Sequence, residues 1–382
     1  MAATMISEIE EKTQRLCEML KGENLAGVLL NAQHNFAWLT AGGSNAIDVS
    51  RDNGASFLFV RADGKRFVIA NNIELSRLLA EEVSRADFEP VEMSWQDEKA
   101  SVDTVLSVAS SLLAGDGDIV SDLYLGGKIR PVEGLITSCR YQLTADEVER
   151  YRKLGTDAGD ALGELVTILS PGETEIEVAQ KVRNKLSEFN ITSVVTLVGA
   201  DERIEQYRHP VPTTNIWKKT LLIAVCARRG GLIASLSRII CVNDVPAELE
   251  LRTNAVAKVY AKLQAATVPG AKAADLYNVA ASSYADLGFA GEINKHHQGG
   301  ACGYRTRDWV AHPANNETVK PNQAFAWNPS ITGTKTEATG IVLKGRFETM
   351  TSTSGFPQIV TTINGEDYFS PGILSLSKGA AA

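Results

Sequence analysis

A chain of 382 residues is long enough for two domains, each able to bury its own core. Charged residues at 22% and apolar residues at 44% give an ordinary globular balance, and the net charge of −8 argues against a nucleic-acid or anionic-membrane partner, both of which need a basic face. Five scattered cysteines with no C-x-x-C pair exclude a cysteine-rich zinc module and fit a reducing compartment, so the expected setting is cytoplasmic. The opening MAATMISEIEEK turns acidic at once, which predicts no signal peptide, and no run approaches the roughly 18 apolar residues of a membrane span.

In chain order, residues 5–22 carry a helical stripe through Ile6, Ile9, Leu16, Met19 and Leu20. AGVLLN (26–31) and NFAWLT (35–40) read as two short strands, and GASFLFVRADGKRFVIANN (54–72) as a hairpin turning at ADG. A helix (73–84), a strand at FEPVEM, a helix (99–113) and GDIVSD complete an alternation that predicts an α/β domain over residues 1–140. Thr144 to Glu147 forms a capping-box signature for a helix running to Leu169, and Thr174 to Glu177 repeats it for a helix ending near Phe189. NITSVVTLVGA is strand-like, and GADERIEQYRHPVPTTN is a polar loop. KTLLIAVCARRGGLIASLSRIICV reads as two strands joined through Arg228–Gly231, followed by helices over 246–267 and 272–287. AFAWNP and TEATGIVLK are the last strands, and KGAAA at the end is expected to fray.

One stretch stands apart from this apolar patterning. NKHHQGGACGYRTRDWVAHP (294–313) gathers three of the five histidines, two arginines and four glycines, and reads as the wall of an active site. His296 and His297 are adjacent, so on a strand only one of them points into a pocket. Gly299, Gly300 and Gly303 suggest close backbone approach to a ligand, or a strand bulge. Alternation would place Arg305 and Arg307 on one face as a carboxylate clamp, with a surface pair to Asp308 as the rival. His209, between Arg208 and Pro210 in a polar loop, suits a general acid/base or a substrate donor. Glu337, an acid among threonines, must be paired if it is buried. Cys302 reads as an inert buried thiol rather than a nucleophile.

The order of these pieces resembles the creatinase/prolidase/methionine-aminopeptidase family, whose catalytic domain is called the pita-bread fold. GADERIEQYRHPVPT resembles the loop that delivers that family's substrate-site histidine, here His209. HHQGGACG resembles H-x-x-G-H-G-x-G, and TEATGIVL lies where relatives read R-x-E-D. NFAWLTAG in the first half is similar to the N-x-x-Y-L-T-G of creatinase and prolidase. The resemblance implies an α/β N-terminal creatinase-like domain (1–140) followed by an α+β pita-bread domain (141–382). Metal-dependent members hold two divalent ions with two Asp, one His and two Glu, because hard cations need several anionic oxygens. Here those positions fall among Ala224–Cys226, on Ser235, on Gly300, on Asn328 and on Glu337, so only one carboxylate survives.

Creatinase uses the fold without metal, and the retained His209 and Glu337 resemble that usage. The resemblance therefore implies a metal-independent hydrolase with no cofactor, cleaving a C–N bond in a small, nitrogen-rich, carboxylate-bearing substrate. His209 would shuttle the proton and Glu337 would orient a cationic or N–H group. Arg305 or Arg307 would hold the carboxylate, and His296 and Asn328 would bond the reacting group. His297 would be the other pocket contact, and His312 would stand in for the family's second site histidine. The alternatives are a metal-dependent Xaa-Pro aminopeptidase or dipeptidase acting on short peptides, and a non-catalytic binding member of the fold. A homodimer is also implied, in which Asn35, Trp38 and Arg51 lie where a contact to the partner's site would arise.

Overall fold

The computed structural model describes residues 6–101, 103–126 and 129–376; the fraying expected of KGAAA lies outside the described residues. The chain divides into two units, Met1–Asp146 and Glu147–Ala382.

A mixed sheet organises the first unit. Its strands are β1 (Gly27–Ala32), β2 (Asn53–Arg61), β3 (Arg66–Asn71), β4 (Glu89–Met93), β5 (Ile119–Ser121) and β6 (Arg130–Pro131), in the spatial order β4-β3-β2-β1-β5-β6. The β2–β3 hairpin pairs antiparallel as its alternating pattern predicts, whereas β4 and β5 join in parallel after helical crossovers. Leu29, Phe57, Phe59, Phe67 and Ile69 form the core beneath it.

NFAWLT is not a strand. Residues Gln33–Leu39 form a helix in which Asn35, Phe36, Trp38 and Leu39 are buried. The β propensity of Phe and Trp is overridden by burial and by a polar network: the Asn35 amide donates to Asp122 (3.0 Å) and Glu133 (2.7 Å). Asn35 and Trp38 thus serve the interior of this unit, while Arg51 is exposed.

The second unit carries the two strand pairs that place the site. β7 (Thr192–Ala200), β8 (Thr220–Arg229) and β9 (Leu232–Val242) run antiparallel, with β19 (Ile373–Leu376) added in parallel to β9. Gly230 and Gly231, both at positive φ, make the β8–β9 turn. A second sheet has the order β11-β10-β12-β15-β16, from Trp309–Val310, Gly299–Cys302, Ala324–Trp327, Ala338–Leu343 and Arg346–Thr349. Two short pairings complete the set: β13 (Ser330–Ile331) with β14 (Thr334–Lys335), and β17 (Gln358–Ile363) with β18 (Glu366–Pro371). Helices Glu175–Glu188, Ala247–Ala266 and Ala273–Asp286 flank the sheets, and the Thr174–Glu177 capping box forms in both directions. No described helix is long and apolar enough to cross a membrane.

Candidate active site

The loop after β7 carries His209 outward, and its ends are pinned by one acid. Glu175 is fully buried and accepts from the backbone of Ala200 (2.9 Å) and Thr213 (2.9 Å) and from Arg203 (2.9 Å). Nearer the tip, Arg208 and Lys295 both bind Glu292. These residues immediately precede His209 and His296, so a single carboxylate ties together the two backbones that present the imidazoles. Nothing in the sequence pattern had marked Glu292 for that role.

The three ring systems converge. His209 Nε2 lies 3.0 Å from His296 Nε2, and the rings meet edge-on at 4.9 Å. His297 stacks on His296 at 4.3 Å, so the two rings lie on one side of the chain, although of the pair only His297 lines the neighbouring cavity. The strand β10 starts only at Gly299, which leaves the two histidines in irregular backbone where alternation does not apply. His296 Nδ1 stands 2.6 Å from the His297 carbonyl, which can only accept. That bond places the proton on Nδ1 and leaves Nε2 of His296 to accept from Nε2–H of His209. Burial, then the charges of His297 and Lys335, lowers His296 to about 3; burial, then Arg307 and Lys335, lowers His297 to about 4. His209 is lowered by burial and by Lys335, with Glu337 opposing. All three imidazoles are neutral at pH 7.

Beside them is a cavity of about 290 Å³ lined by His209, His297, Arg307, Asn328, Lys335 and Glu337, with Val195, Leu197, Ala224 and Val225 as its apolar wall. Glu337 is buried at its base. Its Oε2 is 2.7 Å from Lys335 Nζ and its Oε1 is 3.1 Å from Arg307. Burial alone would raise this carboxyl, but Lys335 and then Arg307 outweigh it and hold it at about 2. The backbone around it is fixed by β9: Ser237 N–H donates to the Glu337 carbonyl (3.0 Å). Ser235 and Thr339 exchange bonds of 2.8 and 2.9 Å. Lys335 was not singled out in the sequence. The available signal was its place two residues before Glu337, where the R-x-E-D pattern has arginine.

Several expected site residues belong elsewhere. Arg305 is exposed and RTRD is a bend rather than a strand, so the alternate-residue clamp is absent and Arg307 alone reaches the cavity. His312 is exposed and accepts from Ala314 N–H (3.3 Å) in a turn, outside the cavity lining. Glu337 already has a protein cation on each oxygen, which leaves it poorly placed to orient a cationic substrate group. The close approach at the glycines is to neighbouring strands: a Cβ at Gly300 would stand 2.1 Å from the Trp309 carbonyl, and one at Gly299, whose φ is +104°, 2.1 Å from that of Ala326. Asn328 is buried and lines the cavity. Cys302 is buried against the Tyr151 hydroxyl (3.3 Å) and pushed up to about 12, an inert thiol.

A family model, Metallopeptidase family M24, matches residues 149–352, more than half of the chain. The chain belongs to the M24 family. The family is one of metallopeptidases, which marks the chain as a hydrolase of C–N bonds, and the fold is the pita-bread arrangement with a preceding N-terminal domain. Solved structures with the same fold include the prolidase from Pyrococcus horikoshii OT3 (17% identity, 90% of this chain and 99% of that one, TM-score 0.74). The Xaa-Pro dipeptidase from Bacillus anthracis is alike (16%, 90% and 98%, 0.73), as is the N-terminal domain of FACT complex subunit SPT16 from Cicer arietinum (11%, 91% and 97%, 0.69). No curated protein sequence matches the chain.

The carboxylate-rich dinuclear centre of M24 metalloenzymes does not fit the residues present. Among the described residues, Glu337 is the one acidic side chain lining the cavity, and both its oxygens are engaged by protein cations. At the other ligand positions stand the stretch Ala224–Cys226, Ser235, a Gly300 with no room for a side chain, and the neutral Asn328, none of them an anionic oxygen ligand. Ring nitrogens of His209, His296 and His297 lie within 4.8 Å of one another and could in geometry ligate one borderline ion. Lys335 and Arg307 nevertheless oppose it: burial is the main reason these imidazoles stay unprotonated, and the fixed positive charges beside the cavity add to it and also repel a divalent cation.

Proposed function

We propose that this M24 member is a metal-independent hydrolase that cleaves a C–N bond in a small substrate by imidazole acid–base chemistry. The observation that carries the reading is the Lys335–Glu337–Arg307 cluster, fixed cations standing beside the one remaining acid of a metal site. His209, neutral at pH 7 and at the cavity edge, takes a proton from the attacking water as the C–O bond forms. The same imidazole returns that proton to the nitrogen as the C–N bond breaks, so one water is consumed and the histidine ends as it began. His296, held by the His297 carbonyl, is too weak a base for this step; it orients His209 through the 3.0 Å contact. Asn328 bonds the reacting group, its amide N–H donating to the oxyanion that develops as water adds. A guanidinium substrate of the creatine kind is disfavoured, because its cation would have to displace both partners of Glu337.

A second reading, a metal-dependent Xaa-Pro dipeptidase-like peptidase, is favoured by the family match and by the prolidase likeness. The two readings separate on a panel of ureido, amidino, N-acyl and prolyl compounds assayed with and without chelator. The first predicts turnover that survives chelation and falls by at least a hundredfold in His209→Ala. A loss of less than tenfold would remove His209 from the chemistry. The cytoplasmic setting and the homodimer belong to the same proposal; light scattering of the purified protein tests the dimer.

A further inference from the structure

The cavity's fixed charges select a ligand. Lys335 and Arg307 are cations and Glu337 is an anion, which leaves one surplus positive charge in a wall otherwise made of imidazoles, an amide, the Cys226 thiol, the Thr306 hydroxyl and aliphatic side chains. Lys335 is almost wholly buried, and its ammonium carries three donors, of which Glu337 takes one at 2.7 Å. Arg307 is steered by its own neighbourhood: it donates to the Thr306 carbonyl (2.6 Å) and to Glu337 (3.1 Å), and its Nε is buried without a hydrogen-bond partner. A desolvated surplus cation with unspent donors is costly unless an anion joins it.

We propose that Lys335, with Arg307 beside it, is the anchor for a carboxylate of the substrate, and that the substrate is a small monoanion with an apolar body. The carboxylate takes the free Lys335 donors and completes the charge balance, while Val195, Leu197, Ala224 and Val225 pack the body of the molecule. Glu337 acts as a positioning residue: it fixes both cations and leaves them one net charge, so a dianion or a cation is matched less well than a monoanion. This inference rests on the hydrolase reading only for the word substrate, because the anchor itself is a binding site that works without turnover.

The test therefore measures binding rather than catalysis. Benzoate and cyclopentanecarboxylate are titrated calorimetrically into the full chain at low salt, each beside its uncharged carboxamide. The carboxylates are expected to bind at least tenfold more tightly than the carboxamides, and Lys335→Met to abolish that preference while Lys335→Arg keeps most of it. Circular dichroism checks that both variants are folded; if Lys335→Met is not, Lys335→Gln takes its place. Equal affinity of acid and amide in the wild type, no binding of either carboxylate, or a preference that survives loss of the Lys335 charge would each overturn the anchor. A His209-dependent hydrolysis could still stand after such a failure. Conversely, intact carboxylate binding with no effect of His209→Ala on turnover would retain the anchor and sink the mechanism.

Discussion

Replacing Glu337 by Gln keeps the side chain's size and removes its charge. In the native site each oxygen meets a different cation, Lys335 at 2.7 Å and Arg307 at 3.1 Å, and the three side chains are only 8%, 14% and 6% exposed. Glu337→Gln leaves two buried cations facing a neutral amide. Removing one partner of a buried pair costs about 3–5 kcal/mol, most of it the penalty of an uncompensated charge rather than the worth of the lost bond. Urea unfolding followed by tryptophan fluorescence reads the second unit through Trp217, Trp309 and Trp327, all buried there. The pH arm fixes the cause. Glu337 is held at about 2 against an ordinary value of 4.5, so its contribution is complete above pH 4.5 and is lost as pH falls through 2. The variant's deficit should therefore be full at pH 7 and shrink between pH 4.5 and 2. A deficit under about 1 kcal/mol at pH 7, or one that does not change with acid, would refute the cluster's electrostatic role.

Other outcomes follow from the same geometry. His296 is lowered to about 3 from an ordinary 6.5, so the folded chain refuses a proton that the unfolded chain accepts. Stability should be complete above pH 6.5 and fall towards pH 3, by at most about 1.4 kcal/mol per unit for this group, with a shallower slope in His296→Gln; equal slopes in urea titrations would contradict the assignment. Gly300→Ala would drive a Cβ to 2.1 Å from the Trp309 carbonyl, so a destabilisation of about 1–3 kcal/mol or more is expected, and an unchanged melting temperature would show that β10 and β11 lie further apart.

Much of this protein was legible in its sequence because local patterns and global fold agree. The hairpin at ADG, the β8–β9 pair turning through Gly230–Gly231 and the Thr174 capping box are written in short-range chemistry. NFAWLT was misread because a helix buried by tertiary contacts overrides the β propensity of its aromatics. The loss of the carboxylate ligands is visible only through the family resemblance, which sets Ser235, Gly300 and Asn328 where relatives hold metal. The replacement for those ligands is not visible in the sequence. Lys335 looks like one more surface lysine in NPSITGTKTEATG until β14 and β15 fold it inward against Glu337, and Glu292 looks like a surface acid until Arg208 and Lys295 close on it. Arg305 and His312 err in the opposite direction: Arg305 because strand alternation does not hold across a bend, and His312 because the resemblance assigns it a position that the turn at Ala314 keeps outside the cavity.

The central claim is hydrolysis without a metal centre. The direct measurement is the metal content of freshly purified active protein by plasma mass spectrometry, together with its turnover after exhaustive chelation. The account predicts far less than one ion per chain and turnover unchanged by chelator. Two tightly bound ions per chain, with activity lost on their removal and restored by their return, would contradict it.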